Sequence, residues 1–285
     1  MNKLAVDIKD GYIILASGDS GHQDYLKIDV DETLLGGADS TGQAGSTGIF
    51  KLGNEQVTGL YNSADGFILS LPMRFSLIKP ISIDLPAIEQ FGEEFLAWEA
   101  HQQLPDELGQ FRTGFYKLRE SFDRKTYKYM FYAASRDFSD VLANFVSAGT
   151  DKVPQVESEA FGLLNIANLA SGGQGLITAV SLEHDGAAVV VVHDGDFVAG
   201  RFITGDTPSL GEEIMYYTIA QSSEDTRPRL LVCGDLDNLD HLGSTSWAER
   251  VELPKSLNFG DNISDNDKTK FAVAAGLIML ENNAN

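Results

Sequence analysis

The chain reads Leu176-Ile-Thr-Ala-Val-Ser-Leu-Glu183, Gly186-Ala-Ala-Val-Val-Val-Val-His193 and Phe197-Val-Ala-Gly-Arg-Phe-Ile203 through the region that decides its fold. One Asp-Gly pair stands between the first two segments and another between the second and third. Asp-Gly between apolar runs favours a two-residue hairpin, because both turn residues need positive φ. The segments are therefore predicted to be three antiparallel strands. The middle segment is apolar without alternation, which indicates burial on both faces.

A helix is predicted directly after these strands. Pro208 and Ser209 open an amphipathic segment over about 209–221, in which Ile214, Tyr217 and Ile219 are available to face inward. Three antiparallel strands followed by a helix form the opening half of a ribonuclease-H-type α/β domain.

The N-terminal region repeats this pattern. Strands are predicted at 3–8, 12–16 and 25–30, with a tight turn at Gly11 between the first two, and another strand follows at 67–71. The segment 34–48 is crowded with Gly, Ser and Thr and is predicted to be a loop. It lacks the Gly-Lys-Ser/Thr ending of a phosphate-binding P-loop. The repeat indicates a duplicated architecture.

The pattern of predicted elements changes at residue 76. A strand-like run punctuated by proline leads to Pro86, where a helix is predicted to start and to continue to residue 104. The segments 111–118 and 127–134 alternate aromatic and polar residues, as a half-exposed antiparallel pair does. Trp98, on the predicted helix, is assigned to the core.

The remaining elements complete the two halves. Helices are predicted at 138–148 and 160–169, and strands at 153–156, 230–232 and 250–253, with a short helix near 236–242. A closing helix is predicted over 265–281, where Ala272, Ala275 and Gly276 provide a small face for close packing.

Composition limits the classes of function. The 285 residues include 42 acidic and 21 basic side chains, and a net charge of −21 argues against nucleic acid as a partner. Cys233 is the single cysteine, which excludes a disulfide framework and a thiolate metal site. The N-terminus lacks the pattern of a signal peptide, and the apolar run at 271–280 is too short to span a bilayer. A cytoplasmic location is expected.

The order of these elements resembles the actin-like ATPase fold. Residues 79–108 are similar to the inserted subdomain of PilM-type pilus-assembly proteins, relatives of FtsA, in Pro80-Ile-Ser-Ile-Asp-Leu-Pro86, Glu93-Glu-Phe-Leu-Ala-Trp-Glu-Ala100 and Gln103-Leu-Pro105. The resemblance implies an α/β chain with an actin-like ATPase (duplicated ribonuclease-H-like) fold and an inserted α+β subdomain. The expected divisions are 1–75 for the first part of the first half and 76–135 for the insert. Residues 136–170 are expected to form the rest of the first half and the connecting helix, and 171–285 a reduced second half.

The resemblance also implies a function. Proteins of this type are cytoplasmic scaffolds of a type IV pilus or related secretion system, peripheral to the inner membrane. They dock the short cytoplasmic tail of a PilN-like membrane partner. A homo-oligomer is compatible with this role.

The nucleotide motifs that the resemblance implies are degenerate in this chain. Each of two hairpins is expected to carry Asp-x-Gly at the phosphates, because glycine lets backbone N–H groups approach. The chain has Asp7-Ile-Lys9 and Ser181-Leu-Glu183 instead, and Cys233-Gly234-Asp235 stands at the adenosine turn. The expected outcome is a pseudo-ATPase without a cofactor, with a degenerate cleft formed by Asp7, Gly11, Ser181, Gly205 and Gly234.

An active ATPase that uses Mg-ATP to control docking is the alternative. Asp7 would then be the carboxylate on the metal side, and Glu157 or Glu159 would polarise the attacking water. The other interpretation of both glutamates is that they are helix N-terminal carboxylates stabilised by the macrodipole.

Other motifs have plainer explanations. The two His-Asp-Gly repeats invite a metal site, but their imidazoles would lie roughly 30 Å apart at opposite ends of one strand. Ser17-Gly-Asp-Ser-Gly21 resembles a serine-nucleophile motif but is predicted to be a turn. The aromatic residues of 111–134 favour cross-strand pairs, some of which are available to line a peptide groove. A sugar kinase would need a catalytic Asp in a sugar cleft, for which there is no candidate.

Overall fold

The computed structural model describes residues 2–9, 11–18, 23–30, 55–104, 108–120, 126–148, 150–205, 209–221, 227–236, 242, 249–255, 257, 259 and 263–279. The predicted loop at 34–48 and most of the predicted helix at 236–242 lie outside these residues. Among the described helices, none combines the length and the apolar character that crossing a membrane requires.

The elements follow one another in three blocks. The first contains β1 (Lys3–Lys9), β2 (Tyr12–Gly18), β3 (Gln23–Asp29), α1 (Glu55–Ser63) and β4 (Gly66–Leu71). The second contains β5 (Ser76–Asp84), α2 (Leu85–Phe91), α3 (Glu93–Gln103), β6 (Phe111–Glu120) and β7 (Thr126–Ser135). The third contains α4 (Arg136–Ser147), β8 (Gln155–Ser158), α5 (Glu159–Ser171), β9 (Leu176–Glu183), β10 (Gly186–His193), β11 (Asp196–Thr204), α6 (Ser209–Ile219), β12 (Arg229–Gly234), β13 (Glu249–Val251), α7 (Asp265–Lys270) and α8 (Ala272–Ile278).

Two five-stranded sheets have the same topology. The first has the order β3-β2-β1-β4-β8 and the second the order β11-β10-β9-β12-β13. In each, an antiparallel meander of three strands is extended by two parallel strands. The predicted duplication of a ribonuclease-H-like unit is therefore confirmed.

A separate three-stranded sheet comes from the middle of the chain. It is antiparallel, with the order β5-β7-β6, and α2 and α3 belong to the same segment. Cross-strand aromatic pairs stabilise it, for example Phe115 and Phe131 with ring centroids 5.1 Å apart. This sheet and its helices are the α+β insert that the sequence predicts.

The largest buried cluster joins the two halves. Helices α5 and α8 lie at its centre and pack against strands of both five-stranded sheets. A side chain at Gly162 would collide with the backbone of Val273, and one at Gly276 with the backbone of Gly162. Asn165 Nδ2 donates a hydrogen bond to the Gly276 carbonyl over 2.9 Å. The small face predicted near the C-terminus thus allows two helix backbones to touch.

Local sequence explains several element ends. Asp194 and Gly195 have φ values of 49° and 85°, the conformation that a two-residue hairpin requires. Ser158 caps α5 by accepting a hydrogen bond from the Ala160 N–H at 3.3 Å, and Gly172, with φ 64°, ends that helix.

The structure corrects five details of the sequence prediction. The helix predicted from Pro86 to residue 104 is divided at Gly92 into α2 and α3. The first hairpin of the second sheet turns at His184 and Asp185, because Gly186 pairs with Glu183 inside the ladder. A Cβ at Gly186 would collide with the backbone of β11, so this glycine permits close approach. The predicted closing helix is interrupted at Phe271, and α1 was not predicted. The assignment of Trp98 to the core is wrong, since its side chain is 52% exposed.

Candidate nucleotide cleft

Two hairpins, one from each half, meet between the five-stranded sheets. Lys9 is the last residue of β1, and Glu183 is the last residue of β9, so each immediately precedes a hairpin turn. The shared topology makes these two positions equivalent. Asp7 and Ser181, two residues earlier, are equivalent for the same reason.

Lys9 joins the two hairpins. Its Nζ atom donates hydrogen bonds to Glu183 Oε1, over 2.9 Å, and to Glu159 Oε1. Asp7 Oδ1 lies 3.9 Å from the same nitrogen. All four side chains are buried. The ammonium group therefore lies in the space where the resemblance implies phosphate.

Arg74 adds a second cation from the turn after β4. It donates hydrogen bonds to Glu183 and to both carboxylate oxygens of Asp185, over 2.9 and 3.2 Å. The N–H of its neighbour Met73 donates to Glu159 Oε2 over 3.1 Å. The end of the first half is thus tied to the hairpin of the second by charge-assisted hydrogen bonds.

Burial and charge shift the acid–base equilibria of this cluster. Burial raises the pKa of Asp7, against the effect of Lys9. Burial also raises the pKa of Glu159, to about 7. The carboxylates of Glu183 and Asp7 raise this pKa further, and Lys9 lowers it in part. Burial acts in the same direction on Glu183, but Lys9 and Arg74 outweigh it and lower the pKa. The carboxylates likewise outweigh burial at Lys9 and raise its pKa. The Lys9–Glu183 pair is therefore charged at neutral pH.

The inner lining of the cleft contains polar groups without hydrogen bonds of ordinary geometry. Among the described residues, neither oxygen of Asp7 nor the hydroxyls of Ser70 and Ser181 make such a bond, although Ser70 is close enough to lower the pKa of Asp7 and Ser181 to lower that of Cys233. Ser70 is opposite Asp7 in the β1–β4 ladder, and Cys233 is opposite Ser181 in the β9–β12 ladder. Buried polar groups are normally paired, so Asp7, Ser70 and Ser181 mark a polar lining between the two hairpins, whereas the Cys233 thiol donates to the Val180 carbonyl over 3.3 Å.

The predicted adenosine turn closes onto the second hairpin. Gly234 has a φ of 84°, and a Cβ there would collide with the backbone of Leu182. The Asp235 N–H donates to the Leu182 carbonyl over 2.9 Å, and Lys270 Nζ lies 3.3 Å from Asp235 Oδ1. The Gly234-Asp235 turn therefore packs directly against the end of β9.

The described residues at the two hairpins leave little space between them. The cavity lined by Lys9, Tyr12, Glu183, His184 and Asp235 has a volume of about 20 Å³, which suffices for about one water molecule. Glu183 also brings a carboxylate to a position where phosphate would need an N–H donor. Among the described residues of the cleft, Lys9 and Glu183 thus stand where the phosphates of Mg-ATP would need backbone N–H donors.

The other predicted cleft residues are divided between this cluster and its margins. Glu159 belongs to the cluster, at the N-terminus of α5. Gly11, with φ 82°, forms the first hairpin turn, and the Gly205 N–H donates to the Asp185 carbonyl over 3.2 Å. Glu157 lies outside the cluster, on β8, where it accepts a hydrogen bond from Gln155 Nε2 over 2.8 Å.

Sequence reasoning identified the two altered positions but not their interaction. The sequence predicts a departure from the phosphate motif at Lys9 and another at Glu183. Their opposite charges at equivalent positions were the signal that could have predicted a salt bridge. Arg74 had no such signal, because its role depends on how the chain turns after β4.

A groove lies beside the insert, away from the cleft. It encloses about 410 Å³ between α3, β6, β7 and the first half. Two guanidinium groups border it: Arg112 Nε donates to Asp140 Oδ1 over 2.9 Å, and Arg136 Nε donates to the Gly109 carbonyl over 3.2 Å. Small, aromatic and branched residues complete the lining: Ala97, Ala100, Phe111, Thr113, Tyr132 and Val156.

Solved structures resemble the whole chain. A PilM–PilN type IV pilus biogenesis complex matches with a TM-score of 0.64 and 15% identity, over 98% of each chain. The cytoplasmic domain of EpsL, an inner-membrane component of the type II secretion system of Vibrio cholerae, matches with a TM-score of 0.54 and 12% identity, over 100% of this chain and 96% of that one. No protein-family profile and no curated protein matches the sequence. At these identities the likeness shows the fold, which is the actin-like ATPase fold.

Proposed function

We propose that this chain is a nucleotide-independent actin-like scaffold of a type IV pilus or related secretion system. It would lie in the cytoplasm, peripheral to the inner membrane, and hold the cytoplasmic tail of a PilN-like membrane protein. The observation that carries the proposal is the buried Lys9–Glu183 pair, which joins the two halves at the place of the phosphates. The likeness in fold to a PilM–PilN complex supports the choice of partner.

The ionic cluster explains how such a scaffold would work without ATP. In an actin-like fold a nucleotide with its metal joins the two halves. Here Lys9 and Arg74 supply the positive charge and Glu183 and Asp185 the negative charge, and Glu159, with a pKa of about 7, accepts a further hydrogen bond from Lys9. The halves are closed by groups that belong to the chain itself.

The groove beside the insert is the docking site in this proposal. Its volume and its mixture of small and aromatic residues suit an extended peptide whose side chains enter pockets. Ala97 is exposed on α3 and lines this groove. A large side chain there would fill the groove without disturbing the core.

Thermal unfolding with increasing Mg-ATP tests nucleotide independence. The melting temperature should stay constant, because a ligand raises it only by binding the native state. A rise in proportion to the logarithm of the Mg-ATP concentration would establish the alternative, an ATP-binding protein whose nucleotide state controls docking.

Peptide binding tests the docking role. The probe is the synthetic cytoplasmic tail of a PilN-like single-pass membrane protein from the same organism. Ala97→Trp should abolish binding while the melting temperature is unchanged, and Ala220→Trp, an exposed alanine after α6, should bind normally. Unimpaired binding to Ala97→Trp would exclude this groove.

A further inference from the structure

The helices of the insert leave large apolar side chains in solvent. No residue of α2 is buried, and Ala100 is the buried residue of α3. Phe91 is 50% exposed and Trp98 is 52% exposed, and the Trp98 ring lies 5.2 Å from that of Phe95, centroid to centroid. Aromatic side chains that are absent from a protein's own core are enriched in protein interfaces.

The same two helices carry an excess of negative charge. Residues 84–103 contain Asp84, Glu89, Glu93, Glu94 and Glu99, and no lysine or arginine. Glu89 and Glu94 are exposed and make no ion pair with any described residue. On α3, Glu94, Phe95 and Trp98 lie opposite Ala100, given 100° of rotation per residue. We call Glu89, Phe91, Glu94, Phe95 and Trp98 the acidic aromatic face.

Charge decides which kind of partner fits this face. A second copy of the chain would bring the same acidic residues, and its net charge of −21 would add repulsion. An anionic bilayer would be repelled for the same reason. A segment rich in Lys and Arg would instead pair with the glutamates, and its cations would also stack on Trp98 and Phe91.

The position of the face specifies where that segment belongs. Ala97 and Ala100 line the proposed docking groove, and Trp98 stands between them in sequence on the outward side of the same helix. The cytoplasmic flank of a membrane-spanning helix carries an excess of Lys and Arg. A tail that enters the groove would therefore bring its membrane-proximal, basic portion to this side of α3.

We propose that the acidic aromatic face binds a Lys/Arg-rich segment of the partner, next to the part that enters the groove. This inference rests on the proposed docking function and adds a second contact of different chemistry. The groove takes the distal part of the tail, and the face takes its cationic part.

A short fluorescent peptide of lysine and leucine at helical spacing provides the probe, with a counterpart in which every lysine is glutamate. The whole chain should bind the cationic peptide and not the anionic one, with an affinity that falls as salt rises. The double variant Glu89→Lys/Glu94→Lys should weaken binding at least about tenfold, and Trp98→Ala by about tenfold.

Matched changes on α6 control for general effects of charge and surface area. Glu212 and Glu213 are exposed there, and Tyr216 is 67% exposed. Glu212→Lys/Glu213→Lys and Tyr216→Ala should leave the affinity for the cationic peptide unchanged. The melting temperatures of all variants should match that of the parent chain, because each altered side chain is exposed. An equal loss of affinity on α6 and on α3 would overturn the inference, since attraction would then be non-specific.

The two proposals fail in different ways. If Ala97→Trp abolishes binding of the partner's tail while Trp98→Ala and the α3 charge reversal leave it unchanged, the groove is the docking site and the acidic aromatic face is not used. If the face variants weaken cationic-peptide binding while Ala97→Trp leaves tail binding unchanged, the face is supported and the groove is excluded. Binding of vesicles of anionic phospholipid would also overturn the choice of a basic peptide segment.

Discussion

The two hairpins at the central cleft have the same backbone and opposite chemistry. Each joins the first two strands of its half, and in each the last residue of the first strand lies immediately before the turn. The first hairpin places Lys9 at this position and the second places Glu183, and the two side chains meet over 2.9 Å. Duplicated halves can thus diverge into complementary partners, because a change in one half lies directly across from the equivalent position in the other.

The next pair of equivalent positions shows a different kind of divergence. Asp7 keeps an acidic side chain in the first half, whereas Ser181 is neutral in the second. Both are buried and make no hydrogen bond of ordinary geometry among the described residues. Lys9 and Glu183 thus form an ion pair between the hairpins, whereas Asp7 and Ser181 do not pair with each other.

Removing the cation should have the largest effect. Lys9→Met leaves Asp7, Glu159 and Glu183 buried around an apolar side chain, and we expect a loss of about 3–5 kcal/mol in the free energy of unfolding at pH 7. The loss should grow as pH rises above about 4.5, because the carboxyl groups must ionise without a counter-ion. Urea denaturation at several pH values measures it. Lys27→Met, which removes a surface partner of Asp29, should cost about 1 kcal/mol or less. A similar small cost for Lys9→Met would show that the cleft pair does not join the halves.

Removing the matching anion should have a smaller effect. Glu183→Gln keeps the shape and one acceptor oxygen, while Lys9 retains Glu159 and Arg74 retains Asp185. We expect a loss of about 2 kcal/mol at pH 7, in the range of a hydrogen bond to a charged group. The pKa of Glu183 is lowered in the fold, so its stabilisation is present above about pH 4.5 and disappears as pH falls through the folded value. A difference between the parent chain and the variant that did not shrink as pH falls below about 4.5 would contradict this assignment.

The third prediction concerns pH dependence at Glu159. Its pKa is raised to about 7, so the native state holds a proton that the unfolded state has released. Stability should therefore fall as pH rises from about 4.5 to 7, by at most about 1.4 kcal/mol per pH unit for one proton. Glu159→Gln should flatten this slope, as urea denaturation across the interval would show. An unchanged slope would assign the proton to another group.

The smallest effect is expected at Asp7. Burial raises its pKa in spite of the nearby Ser70 and Lys9, so Asp7→Asn should change the free energy of unfolding at pH 7 by less than about 1 kcal/mol. A carboxylate that held a metal would behave differently: Asp7→Asn would then remove any stabilisation by Mg-ATP. Denaturation with and without Mg-ATP distinguishes the two results.

Much of the fold follows from patterns that act locally. The alternation of apolar segments with Asp-Gly turns predicted both meanders, and the prolines at 80 and 86 marked the insert. Asp194-Gly195 formed the expected turn, whereas Gly186 moved into the ladder because strand pairing shifted the turn by one residue. Trp98 was misassigned because an apolar residue at helical spacing has the same pattern in a core and in an interface.

By itself the sequence determined the two related halves and the insert, since period and turn chemistry depend on near neighbours in the chain. It also determined that the phosphate motifs are altered. Only the tertiary structure decided that Lys9 and Glu183 meet, that Arg74 joins them and that the cavity left is about 20 Å³. These residues are far apart along the chain, and an ion pair depends on the distance between its charges and on their burial, which only the packing of one half against the other sets.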